Sequence, residues 1–87
     1  MLRDITLYEF NSLDDNEKYE AIMEYANYVA DRIENHCKVL LYQFDNFYVE
    51  LFYASWSNAI IKFRSFNSLE PLKPYLNKID LSDLYLL

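Results

Sequence analysis

The chain has 87 residues, 53% of them hydrophobic and 18% aromatic, with nine Tyr and six Phe, no Gly, and a formal net charge of −6. That length makes one domain with a modest core, near the size where stability is marginal and self-association is a common supplement. The charge argues against a phosphate-backbone binder, which carries a basic stripe. The lack of Gly argues against phosphate-cradling loops, dinucleotide fingerprints and nucleophile elbows, which need close backbone approach or positive φ at fixed points.

The single Cys37 has no disulfide partner within the chain, no charged-then-apolar leader opens it, and no apolar run reaches about 18 residues. These features lead us to expect a reduced, cytoplasmic, soluble protein with no membrane span. The acidity is concentrated at the start: residues 1–34 hold nine acids and three bases (−6), residues 35–66 two acids and three bases (+1), and residues 67–87 three acids and two bases (−1). There is no repeat, low-complexity tract or linker, so residues 1–87 are read as a single domain.

Residues 1–13 read as an extended or turn-like strap carrying Ile5, Leu7, Tyr8 and Phe10. Asp14 as N-cap, with Glu17 three residues on, is a capping-box signature that opens a helix over 14–35. Tyr19, Ile22, Met23, Ala26, Val29, Ala30 and Ile33 recur at helical spacing and form its expected core face. Glu17, Glu20, Glu24 and Asp31 form an acidic stripe opposite. Lys18, Ala21, Tyr25, Tyr28 and Arg32 line a flank, with Arg32 expected over Tyr28, and Asn35 is a plausible left-handed C-cap in place of Gly.

Residues 38–66, KVLLYQFDNFYVELFYASWSNAIIKFRSF, read as a three-stranded antiparallel meander over 38–44, 47–55 and 59–66, rich in β-branched and aromatic residues. A two-residue turn at Asp45-Asn46, the residues after Gly that best tolerate positive φ, sets Phe44 opposite Phe47, Tyr42 opposite Val49 and Leu40 opposite Leu51. A three-residue turn at Trp56-Ser57-Asn58, with Asn58 left-handed, sets Tyr53 opposite Ile61, Leu51 opposite Phe63, Phe52 opposite Lys62 and Glu50 opposite Arg64. The last pairing joins opposite charges across the ladder, which supports this register. Residues 69–80 then read as a short helical segment opening near Pro74, followed by an apolar tail over 81–87.

The expected fold is therefore a small α+β domain of order α-β-β-β-α, with a three-stranded meander and helices packed on one face. In element order it resembles the double-stranded RNA-binding domain. That resemblance implies a basic cluster opening the last helix, and the corresponding residues 68–78 hold only Lys73 and Lys78, against Glu70.

Catalytic or metal chemistry finds few candidates. His36 and Cys37 are sequence neighbours that point apart, and Glu20 with Glu24 lacks further ligands or a pocket. Cys37 reads as a buried small residue, His36 as a surface residue near a helix end, and Glu50 as the partner of Arg64. No enzyme activity, cofactor or metal is expected.

The outward sheet face, bearing Val39, Leu41, Tyr48, Glu50, Phe52, Ile60, Lys62, Arg64 and Phe66, is too aromatic for a merely solvated surface. It is the candidate interface of a non-enzymatic protein-interaction module, with homodimerisation expected, another protein chain as the other possible partner, and neither direct nucleic-acid nor membrane binding expected. The alternative is an acidic inhibitor or antitoxin-like protein whose stripe Glu17, Glu20, Glu24 and Asp31 occupies the basic surface of a nucleic-acid-binding partner.

Overall fold

The two hairpins expected from residues 38–66 are present in the computed structural model, which describes residues 5–76, and a third hairpin precedes them. The sheet is a four-stranded antiparallel meander, β1 (Asn27–Glu34), β2 (Cys37–Gln43), β3 (Tyr48–Ala54) and β4 (Ile60–Phe66), in the order β1-β2-β3-β4. Tyr42 faces Val49 and Leu40 faces Leu51, while Leu51 faces Phe63, Phe52 faces Lys62 and Glu50 faces Arg64, all as the register argument requires. Beyond Phe52 the last pair slips. A bulge inserts an extra residue in β4, so Tyr53 faces Ile60 instead of Ile61.

The largest departure lies in residues 14–35, expected as one helix. A helix does open at Asp14 with the predicted capping box, but α2 (Asp15–Tyr25) stops after 11 residues, and Ala26 is already extended at ψ 156°. The physical reason is the composition of residues 27–31: Asn27, Tyr28, Val29 and Asp31 are weak helix formers, and the run suits a strand. Asn35 and His36 then take φ 48° and 66°, the paired left-handed conformation of a two-residue hairpin turn that brings β1 back onto β2. Asn35 is left-handed as expected, but it closes a hairpin rather than a helix. His36 is exposed at that turn and Cys37, with its free thiol, is half-buried. Asn58 is left-handed as predicted, and no positive φ occurs at Asp45 or Asn46.

The strap expected over 1–13 contains a short helix, α1 (Leu7–Asn11), held by a reciprocal capping box between Thr6 and Glu9. Phe10 projects from it between Phe44 and Phe47, with ring centroids 5.5 and 5.7 Å away. The inward arc of α2 is Ala21 and Ile22, with Lys18 and Tyr25 half-buried beside them, so the expected flank faces in while Tyr19 and Met23 are exposed. Phe10, Ile22, Phe44, Phe47 and Val49 form the centre of this cluster, and each such side chain contributes roughly 1.5–3 kcal/mol on burial.

Helices on one face only is the second correction. Residues Glu70–Tyr75 form a 3-10 turn with Pro71 at its start and Pro74 inside, where a full α-helix would lose a hydrogen bond. Its Leu72 and Tyr75 pack with Ala30, Leu41, Tyr48 and Phe66 on the sheet face opposite α1 and α2. The helical segment predicted over 69–80 is thus a 3-10 turn as far as Tyr75; residues 77–80 and the predicted apolar tail 81–87 lie outside the described residues.

Candidate functional site

Alternation along the strands divides the side chains between two sheet faces, and the two faces are finished differently. On the face of the 3-10 turn, Val39, Leu41, Tyr48, Glu50, Phe52 and Phe66 are all buried. These are the residues predicted as an outward interface. Of the nine residues predicted there, only Ile60, Lys62 and Arg64 are exposed, and the bulge turns Ile60 to the helix-side face beside Tyr53. The chain's own Leu72 and Tyr75 supply packing that the sequence reading left to a partner.

Glu50 is the charged centre of this face, at 0% exposure. Its Oε2 accepts from Arg32 Nη2 at 3.0 Å, from Arg32 Nε at 3.2 Å and from the Tyr75 hydroxyl at 2.6 Å, while Arg64 Nη1 lies 3.4 Å from Oε1. A carboxylate removed from water is tolerated only with such partners. Burial and the hydrogen bond to Glu50 both push the Tyr75 hydroxyl well above the ordinary tyrosine range. For Arg32, burial alone would favour the neutral form, but hydrogen bonds with Glu34, Tyr75 and Glu50 outweigh it and hold the guanidinium charged. The hydrogen bond from Arg32 in turn lowers the Glu34 carboxyl below its ordinary range.

The pairing of Glu50 with Arg64 was legible in the register. Arg32 and Tyr75 were not: Arg32 reaches Glu50 from β1, and its guanidinium lies over Phe52 and Tyr75 rather than over Tyr28. Lys62 also lies over Phe52, at 4.5 Å from the ring centroid. This arrangement ties the 3-10 turn to the sheet. The carboxylate at its centre is fully enclosed, and of the ion-paired side chains around it only Arg64 and Glu34 are widely open to solvent.

The helix-side face is different. Three rows cross the four strands: Tyr28–Tyr42–Val49–Ser65, Asp31–Leu40–Leu51–Phe63 and Ile33–Lys38–Tyr53–Ile60. An 11-residue helix is about 16 Å long, whereas strands of seven to eight residues run about 23–26 Å. The helices pack at the first row and its neighbours Phe44 and Phe47, and the third row is left open. Ile33 is 71% exposed and Ile60 38%, while Leu40 and Tyr53 are half-buried.

Two shallow depressions mark this open end. One, of about 340 Å³, is lined by Ile33, Lys38, Leu40 and Tyr53 among others; the second, of about 250 Å³, by Asp15, Asn16, Tyr19, Ile60 and Phe63. Tyr19 lines the second; burial raises the hydroxyls of Tyr53 and Tyr42 above the ordinary tyrosine range, and the neighbouring Tyr19 adds a smaller rise. At the first row, Tyr28 stacks edge-on against Tyr42 and donates to Asp31 at 2.5 Å; that bond, with partial burial and the Asp31 charge, pushes Tyr28 up to about 12. The surface therefore combines aliphatic, tyrosine and a few charged groups. Sequence reasoning placed Ile33 inside a helix and Leu40, Tyr42 and Tyr53 beneath one, so it did not single out this surface.

The acidic stripe is shorter than expected. Glu17, Glu20 and Glu24 do share an exposed side of α2 and line a groove with Ile5, Leu13, Ala21 and Tyr25. Glu17 is partly engaged in the capping box, and Asp31 lies on β1, hydrogen-bonded by Tyr28. Among the described residues no cluster of His, Cys, Asp or Glu could hold a metal ion, and no helix is long and apolar enough to cross a membrane. Compared with protein-family models, with curated proteins and with solved structures, the chain matches none of them.

Proposed function

We propose that the chain is a small non-enzymatic protein-interaction module, and that its contact surface is the uncovered end of the helix-side sheet face. The observation that carries this reading is the exposure of Ile33 at the β1 end of a cross-strand row that continues through Lys38 and Tyr53 to the exposed Ile60. Isolated exposed apolar residues are ordinary, but here Ile33, Leu40, Tyr53, Ile60 and Tyr19 border adjoining depressions, and contiguous patches of that kind mark interaction sites. Tyrosines supply large contact areas at low entropic cost, which suits them to such a surface.

The test places a photoreactive benzophenone side chain at position 33, or at the exposed Lys73 on the other face as a control, in cells that make the chain. A protein adduct from position 33 and none from position 73 supports the reading. Absence of any protein adduct from position 33 overturns it. A second reading rests on the Glu17, Glu20 and Glu24 groove, whose charge and apolar floor suit a basic segment of a nucleic-acid-binding partner.

A further inference from the structure

The open row has a direction. Its β1–β2 side carries one cation, Lys38, in a depression with no acid in its lining, and its β4 side carries one acid, Asp15, in a depression with no cation. Neither side chain takes part in an ion pair among the described residues. Between them lie Tyr53 and Tyr19, with Ile33 and Ile60 at the two ends of the row.

Two further charges lie on this face one row inward, but both are engaged within the chain, Asp31 by the Tyr28 hydroxyl and Lys18 over the Phe10 and Phe63 rings. The third row, with Lys38 at one end, Asp15 at the other and apolar and tyrosine groups between, is complementary to itself after a half-turn. Two-fold association has that requirement: residue i of one copy meets residue j of the second, and j meets i. We infer that the occupant of this surface is a second copy of the chain, docked about a two-fold axis near Tyr53 so that Lys38 of each copy meets Asp15 of the other. The inference rests on the reading of this face as a contact surface and names its partner.

Neither of the sheet's edges offers so good a self-match. Antiparallel pairing of β4 with its own copy about Phe63 would set Lys62 opposite Arg64, like charge against like. The β1 edge is interrupted by its bulge between Tyr28 and Ala30, which discourages pairing. Face-to-face docking avoids both obstacles and leaves Glu17, Glu20 and Glu24, the densest negative charge, outside the proposed contact.

The experiment is a charge swap read by light scattering after size-exclusion chromatography, with circular dichroism to confirm folding. The wild-type chain should show twice the 10.5 kDa of one copy. Lys38→Glu and Asp15→Lys should each weaken the dimer about tenfold or more, and the chain carrying both should recover it, because the pair is restored with its signs exchanged. If a single reversal unfolds the chain, Lys38→Gln and Asp15→Asn replace it, each expected to weaken the dimer.

A monomeric wild-type chain at about 100 μM, single variants that dimerise normally, or a folded double variant that does not recover would each overturn the inference. The cross-link from position 33 separates this failure from failure of the interaction reading. An adduct of two copies supports both, an adduct with a different protein keeps the contact surface and removes the second copy, and no adduct between molecules removes both.

Discussion

Arg32→Leu removes the strongest partner of a carboxylate that has no access to water. Glu50 would keep the Tyr75 hydroxyl and Arg64, but Arg64 stands 3.4 Å from the other oxygen and its side chain is half-exposed, so it cannot replace a guanidinium at 3.0 Å that is itself nearly enclosed. Breaking a buried pair in this way costs about 3–5 kcal/mol. A domain of 87 residues has a total stability of roughly 4–13 kcal/mol, so the substitution should consume a large part of it. With a urea m-value of about 1 kcal/mol/M, the midpoint should fall by about 3–5 M, or the chain should be unfolded without denaturant. Far-UV circular dichroism is the suitable readout, since Trp56 is 76% exposed and reports poorly on the core. The companion variant is decisive: Arg32→Leu with Glu50→Leu removes both charges and should recover most of the loss. A single variant that loses less than about 1 kcal/mol, or a double variant as unstable as the single, would refute the account of Glu50 as a paired buried charge.

Other outcomes rest on the same geometry. Tyr75→Phe deletes the 2.6 Å hydrogen bond to Glu50 and should lower stability by about 1.5–3 kcal/mol in urea titrations. Alkaline stability should fall steeply: Tyr28, raised from 10.0 to about 12, and Tyr75, raised further still, keep their protons in the folded chain. The unfolded chain releases them near pH 10, so their contribution is complete below that pH and is lost as pH climbs. Urea midpoints measured between pH 9 and 12 check the slope, which Tyr75→Phe should flatten. His36→Gly should stabilise by about 1 kcal/mol, because a left-handed residue with a Cβ is replaced by one without that penalty; an unchanged thermal midpoint would count against the turn geometry. Thr6→Ala should cost about 1 kcal/mol by removing the cap of α1.

The meander was legible because two independent signals agreed on its register. Apolar alternation fixed which residues share a face, and the opposed charges of Glu50 and Arg64 fixed their alignment, so the pairs from Tyr42–Val49 through Phe52–Lys62 match. The bulge in β4 was not legible, since Ile60 and Ile61 are the same residue type and either can face Tyr53. Residues 27–34 failed for a related reason. Val29, Ala30 and Ile33 fit a helical stripe and a strand equally well, and a clean capping box upstream favoured continuing the helix. The contrary signals were present: weak helix formers at Asn27 and Asp31, and a polar pair at Asn35-His36 able to serve as a turn. Thr6 and Glu9 likewise spelled the same capping box that located α2, but the helix they open is only five residues long.

This single misassignment accounts for the change of candidate surface. A helix of 22 residues over 14–35 would be about 33 Å long, enough to roof the whole sheet and make its far face the natural candidate for a partner. Ending the helix at Tyr25 has two consequences at once. It releases residues 27–34 to become β1, which brings Arg32 beside Glu50 and allows the 3-10 turn to close over the far face. It also shortens the roof, so the near face is uncovered at its last row. The change of helix length moves the exposed apolar and tyrosine groups, and with them the proposed contact surface, to the other side of the sheet. A polar substitution at Ile33 should therefore disturb association while the chain stays folded, whereas the same substitution at Phe52 should act on folding, because Phe52 is already buried within its own chain.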